Sequence, residues 1–462
     1  MAKKSFVCLC LILFACSAFS QKAILPNTLS KAEKLYGLSK FWSEVNYNFV
    51  FLNNIDRQLW DNTYKELLGT ITETKNNYEY LRELQKFCAL LKDGHTGIYS
   101  PNSQIFTSNF GDYRIWVRNI ENKAIIYMIN ESKKDEIPIG SEIVEVNGIP
   151  TSEHLEKNVA PYISSSTDYV LSDWSVATML SGMAGDSCHI KIRKPNGKEV
   201  ELTLKHGVSE EREVYPQAAK YTLLEFKWLD EKDKMAYVAL NRFADKEIVS
   251  LFIDKLPELK KAKSLVIDLR KNGGGNSNIG KDILEYLAEG DTIYGSSSRT
   301  RMHISAYKAW GNMIQEKDST KDEWHRKVYL TSRDKAYYTI SDSKEKNNVE
   351  RSERVIIPTA ILVSHQTASA AEDFLIAIDN QKHMTKIGTK SFGSTGQPLM
   401  INLVPGIDAR ICTKENTYPD GRKFIGVGVL PDIEVNETVE DFINGKDPIL
   451  DKAKEYLKEQ GK

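Results

Sequence analysis

Cysteine is scarce in this chain of 462 residues. Of the six present, Cys8, Cys10 and Cys16 lie in the N-terminal apolar stretch, which leaves Cys88, Cys188 and Cys412. That odd, widely spaced set excludes a disulfide scaffold and a cysteine-rich zinc site. At most one disulfide could form, and three buried thiols are the simpler reading. Beyond the N-terminus no apolar run reaches the ~18 residues of a membrane-spanning helix. Neither sign of charge dominates: 62 Lys and Arg face 63 Asp and Glu, a net charge of -1. No block of like charge forms a basic arm or an acidic tail, so a nucleic-acid partner has no support. Internal repeats and low-complexity tracts are absent. So are the Walker Gly-Lys-Ser/Thr order and any metal or cofactor signature. The chemistry must come from ordinary side chains.

The first residues are an address. Lys3 and Lys4 precede an apolar stretch, Phe6 to Ala15, and Ala18-Phe19-Ser20 has the small-x-small form of a signal-peptidase site. Residues 1–20 therefore read as a signal peptide cleaved before Gln21, and the protein as exported, to the periplasm or cell envelope. Leu13-Phe14-Ala15-Cys16 is a rival lipoprotein box, and lipidation of Cys16 would be the one route to a membrane.

The remainder divides by periodicity. Residues 21–110 are mostly helical. Ser30 to Glu33 is a capping box, and a third helix through Leu81, Leu84, Phe87 and Leu91 is expected to stop at Asp93-Gly94, with Gly94 just past its end. Residues 111–206 form a β-rich module, with a turn at Asn147-Gly148 and a hairpin around Asn196-Gly197. Residues 207–462 are α/β. Met235 to Leu240, a helical face from Ile248 to Leu259, and Ser264 to Leu269 imply a parallel pair with a right-handed crossover. Residues 295–350, charged and dotted with Tyr and Trp, read as an insertion near the site, a candidate lid.

Two strand ends carry the chemistry. After Ala360 to Val363, the small residues Ser364 to Ala368 lead into a helical face of Ala370, Ala371, Phe374, Leu375, Ala377 and Ile378. Ser369 sits at that strand-to-helix turn, where unpaired helix N–H groups suit a developing oxyanion. A plain N-cap serine fits the same pattern. After Ser264 to Leu269 comes Gly273-Gly274-Gly275, a loop whose backbone can approach a ligand closely. In a parallel sheet, sites form outside the carboxyl ends of the strands. His95, at the break after the third helix, is well placed for acid–base work, although it could also merely cap the last carbonyls.

The segments 266–275 (Val-Ile-Asp-Leu-Arg-Lys-Asn-Gly-Gly-Gly), 367–372 (Thr-Ala-Ser-Ala-Ala-Glu), 393–398 (Gly-Ser-Thr-Gly-Gln-Pro) and 428–432 (Gly-Val-Leu-Pro-Asp) occur in one order. Together they resemble the S41 peptidases, the C-terminal processing or tail-specific proteases and their tricorn-core relatives. The resemblance implies an α/β multidomain fold: a helical N-terminal region, a PDZ-like β module and a crotonase-like αβ catalytic core at 207–462. It implies Ser369 as nucleophile and the N–H groups of Gly274 and Ala370 as oxyanion hole. The lysine base of the C-terminal processing branch corresponds here to Ser394. Leu91-Lys-Asp-Gly-His-Thr96 resembles the segment that carries the histidine base of the tricorn-like branch, which points to His95. That branch has a serine where Gly94 stands, and a glutamate before the last motif that is missing here. Asp93, Glu415 or Asp420 could orient the imidazole, and Ser394 could assist. A PDZ-like module implies polypeptide partners bound by β-augmentation, through their C-termini where the carboxylate loop has the usual apolar, Gly-rich form, which the loop 111–114 lacks. The implied activity is a serine endopeptidase acting on unfolded or C-terminally exposed polypeptides. The rivals are a catalytically inactive peptide-binding relative and, more remotely, acyl-CoA chemistry on the same core.

Overall fold

The computed structural model describes residues 29–101, 107–111, 113–218, 220–341 and 343–460. The expected leader, with its candidate cleavage and lipidation sites, lies outside the described residues.

Capping residues start each N-terminal helix where the sequence places a side-chain acceptor. Ser30 and Glu33 close a capping box on Lys31–Asn48, Asp56 caps Arg57–Thr70, and Asn76 caps Asn77–Ala89. The third helix ends at Ala89, earlier than the sequence suggested, and Lys92 takes the left-handed turn at φ 48°. Gly94 is not the left-handed residue. It is small for a different reason: a Cβ there would lie 2.6 Å from Phe392 Cε1 and 3.1 Å from Ser394 Cβ.

These helices do not form a core of their own. Leu38, Phe41, Val45 and Phe87 share one with Leu403, Val404, Ile407 and Ile411 of the distant hairpin Pro398–Val404/Ile407–Cys412. The short strand Gly97–Tyr99 adds antiparallel to Ile407–Cys412. The N-terminal region is thereby built into the second half of the chain.

The β module is a seven-stranded sheet. Lys123–Asn130, Glu142–Val146 and Ser187–Arg193 form its centre, Glu199–Lys205 is one edge, and Trp116–Ile120 pairs with Lys123–Asn130. Asn147 at φ 51° and Gly148 at φ 79° make the expected turn. Val214–Tyr215 also joins this sheet, so its pairing runs past residue 206. The helix Asp168–Thr178 packs against Trp116–Ile120.

Six strands form the central sheet, in the order Leu224–Asp230, Met235–Leu240, Ser264–Asp268, Thr359–Val363, Met384–Gly388, Ile433–Glu434. All neighbours after the first pair run parallel. Met235–Leu240, Ser264–Asp268 and Thr359–Val363 are buried throughout, as strands covered on both faces must be. The helical face after Met235–Leu240 is broken into Glu247–Ile253 and Leu256–Leu259, with Pro257 in the first turn of the second piece. The insertion is a helix pair, Ser305–Gly311 and Glu323–Ser332, carried on the hairpin Ser297–Arg301/Tyr337–Ser341. Ser297–Arg301 pairs in turn with Glu415–Thr417.

Candidate active site

Register brings the two strand-end loops together. Asp268 lies opposite Leu362 in adjacent parallel strands, so the chain leaves both at the same edge. Ala368 N–H donates to Asn272 O at 3.0 Å, tying one loop to the other. Ser369 precedes the helix Ala370–Ala377 and holds φ 56°, ψ -121°. A non-glycine residue in that region stores strain of about 1–3 kcal/mol and persists only where its surroundings dictate it. The sharp turn presents the side chain at the sheet edge, as a nucleophile elbow does. Gly274, at φ 93°, packs so closely that a Cβ would lie 2.7 Å from Ser369 Cβ and 2.8 Å from Ala370 N.

The two expected oxyanion donors differ. Ala370 N–H has no acceptor among the described residues. Gly274 N–H donates to Asn272 Oδ1 at 2.9 Å, and Asn272 Nδ2 donates to Leu240 O at 2.9 Å, which fixes the orientation of that amide. A substrate oxygen would have to share the Gly274 donor with Asn272.

A buried carboxyl that the sequence reading left without a role links the parts. Glu372 accepts from Ser369 N–H at 3.1 Å, Ser391 Oγ–H at 2.6 Å, Gly393 N–H at 2.6 Å and Ser394 N–H at 3.3 Å. It is fully buried, and desolvation pushes its pKa up to about 8 against these donors. The serine three residues before a glutamate was the signal for it, a capping-box spacing.

His95 reaches the same network from the opposite end of the chain. Its Nδ1 lies 2.8 Å from Ser394 Oγ, and Ser394 Oγ lies 3.4 Å from Asp93 Oδ1. The loop that carries it is held on several sides. Asp93 N–H donates to Ser164 Oγ and Gly94 N–H to Ser166 Oγ, both from the β module. Arg410 Nη2 donates to Gly94 O at 2.9 Å, and Thr96 Oγ1–H donates to Asp93 Oδ2 at 2.6 Å. Burial, with Arg410 and Lys414 nearby, lowers the His95 pKa to about 4. Burial raises that of Asp93.

The remaining candidates lie elsewhere. Glu415 accepts from Arg299 Nε at 2.7 Å and pairs with Lys423, so it belongs to the insertion's sheet and not to the imidazole. Asp420 pairs with Arg422. Lys386 Nζ is held by Asp379 and Asp432. Cys88, Cys188 and Cys412 are free and buried.

The chain is 23% identical over 279 residues to the carboxy-terminal-processing protease of Bartonella bacilliformis, a match covering 59% of this chain and 55% of that one. The chain spans about half the length of the curated relatives it matches. Mature CPAF complexed with lactacystin has the same fold, with a TM-score of 0.66 at 15% identity over 94% of this chain and 98% of that one. Mature CPAF alone gives 0.64 at 14% identity over 93% of this chain and 96% of the other. The family model Peptidase family S41 matches residues 234–435, somewhat less than half of the chain.

Proposed function

We propose that this protein is an exported serine endopeptidase that hydrolyses unfolded or C-terminally exposed polypeptides through an acyl-enzyme on Ser369. The observation that carries the reading is the strained Ser369 backbone pressed against Gly274 beside the open Ala370 N–H. Ser369 Oγ attacks the scissile carbonyl, and Ala370 N–H, with Gly274 N–H shared from Asn272, receives the oxyanion. His95 takes the serine proton at Nε2. In that tautomer Nδ1–H donates to Ser394 Oγ, and the Ser394 hydroxyl donates to Asp93. Ser394 thus stands where one branch of the family has its lysine and serves as the link between imidazole and carboxyl. A peptide could add by β-augmentation to Trp116–Ile120, an edge strand flanked by the helix Asp168–Thr178. Capture of a free C-terminus draws less support, because Arg114 beside the candidate loop is spent on Asn130 and Glu213.

A second reading, an inactive peptide-binding relative, is favoured by one feature: the Gly274 donor is already engaged. Labelling the mature protein with a fluorophosphonate separates the two. An adduct on wild type that vanishes in Ser369→Ala is expected. No Ser369-dependent adduct would leave the inactive relative.

A further inference from the structure

The hairpin that receives the N-terminal helices leaves one edge open. Its strand Pro398–Val404 is outermost in its sheet and, among the described residues, pairs on one side alone, with Ile407–Cys412. Residues opposite each other in an antiparallel ladder alternate between bonded and unbonded pairs, and three contacts fix that alternation here. Thr413 N–H donates to Gln397 O at 3.3 Å, so Gln397, Leu399 and Ile401 bond toward the neighbouring strand. Cys412, opposite Pro398, turns the other way. Its N–H donates to Thr96 Oγ1 and its carbonyl accepts from Val50 N–H, both at 3.0 Å. Asn402 O accepts from Lys40 Nζ at 2.8 Å on the outer side. Pro398 C=O, Met400 N–H, Met400 C=O and Asn402 N–H therefore point outward, and none has a partner among the described residues. The side chains beside them are apolar and exposed, Met400 at 59% and Leu399 at 41%. No charged residue stands between Gln397 and Pro405. Edge strands are ordinarily guarded by charge or cover, and this one has neither at Met400.

We infer that this edge pairs with the same edge of a second copy, antiparallel about a two-fold axis at Met400. That register satisfies every open group. Met400 exchanges two hydrogen bonds with Met400 of the partner subunit. Pro398 C=O accepts from Asn402 N–H of the partner subunit, and the reverse contact follows by symmetry. A further bond would run from a Pro398 N–H to an Asn402 carbonyl. Proline has no such N–H, and Lys40 already serves that carbonyl. The missing donor and the occupied acceptor thus meet each other. A polypeptide of general sequence lacks this match, because it sets a carbonyl against the proline with no donor. Leu399 lies opposite the partner's Ile401 in the closer, unbonded pairs. The seam is apolar on both faces, with these side chains on one and the two Met400 side chains on the other. A single strand pair buries little area, so the dimer is reversible. Ser394 lies four residues before Pro398, so the seam runs beside both catalytic sites.

Sedimentation velocity on the mature protein should show a dimer that grows across about 1–100 µM. Met400→Lys and Met400→Glu should each stay monomeric over that range, because like charges then face each other across the axis. Their melting temperatures should not change, since the side chain is exposed. Mixed in equal amounts, the two variants should form a heterodimer, which a misfolded protein cannot do. A wild type that stays monomeric, a dimer that persists in Met400→Lys, or a mixture that stays monomeric would each overturn the seam. If wild type is monomeric and Met400→Lys instead weakens peptide binding to the Ser369→Ala protein, the edge belongs to the substrate and the seam falls.

Discussion

The two halves of the site are built in different ways. Ser369 and Gly274 lie on loops that leave adjacent parallel strands, and the register of one sheet places them. His95 and Ser394 come from segments far apart in sequence, and meet because the N-terminal helices and the hairpin Pro398–Val404/Ile407–Cys412 share a core. The nucleophile side is therefore as rigid as the sheet. The base side is as rigid as a set of loop contacts from the β module, the hairpin and Phe392. Damage to the first should abolish chemistry, whereas damage to the second should degrade it.

Four experiments test that contrast, in falling order of effect. Ser369→Ala should reduce peptide hydrolysis by about 10^4-fold or more with an unchanged melting temperature, since the nucleophile itself is lost. His95→Ala should lower kcat about 10^2–10^4-fold with little change in KM, as the loss of a general base does. Equal turnover by the His95 variant would break the assignment. Glu372→Gln should destabilise the protein by about 1–3 kcal/mol in a denaturant melt, because its new NH2 group faces two donors whichever oxygen it replaces: Ser391 and Gly393, or Ser369 and Ser394. It should also lower kcat, since it loosens Ser369 and Ser394 together. Gly94→Ala sets a methyl against Phe392 and Ser394, and should cost about 1–3 kcal/mol and a smaller loss of kcat, by shifting His95 rather than removing it.

The pH profile sharpens the same comparison. His95 works as a base only when uncharged, and its pKa is lowered from 6.5 to about 4. The acid limb of kcat/KM should therefore fall near pH 4, with no inflection near 6.5. Ser394→Ala leaves Nδ1 without its partner, and should reduce kcat modestly while leaving that limb in place, because burial is the first cause of the shift. An acid limb near 6.5 in wild type would show that the imidazole is exposed in the working enzyme.

Much of the nucleophile side was legible in the sequence. A buried apolar run, a turn of small residues and a helical face form one local pattern, and both strand ends carry it or its glycine counterpart. The helix caps were equally readable at Ser30, since the capping side chain lies within four residues of the N–H groups it serves. The reason given for Gly94 was wrong because local rules see a helix end, while the constraint is a phenylalanine almost three hundred residues away. Glu415 failed as a partner for His95 for a similar reason: strand pairing with Ser297–Arg301 gives its carboxylate to Arg299. Glu372 carried no role in the sequence reading, because only the fold brings Ser391, Gly393 and Ser394 around it.

What the sequence determined alone was the sheet order's raw material: which runs are buried strands, where they turn, and that a serine and a glycine triplet stand at strand ends. Those features depend on periodicity and backbone preference, which act over a few residues. What the tertiary structure decided was the company each group keeps. Ser394 became the partner of His95, Asn272 took the Gly274 N–H, and Asp373 acquired the neutral donors Ser277, Ser296 and Asn416. Hydrogen bonds and desolvation depend on neighbours in space, and those neighbours are set by packing between segments that no local pattern connects.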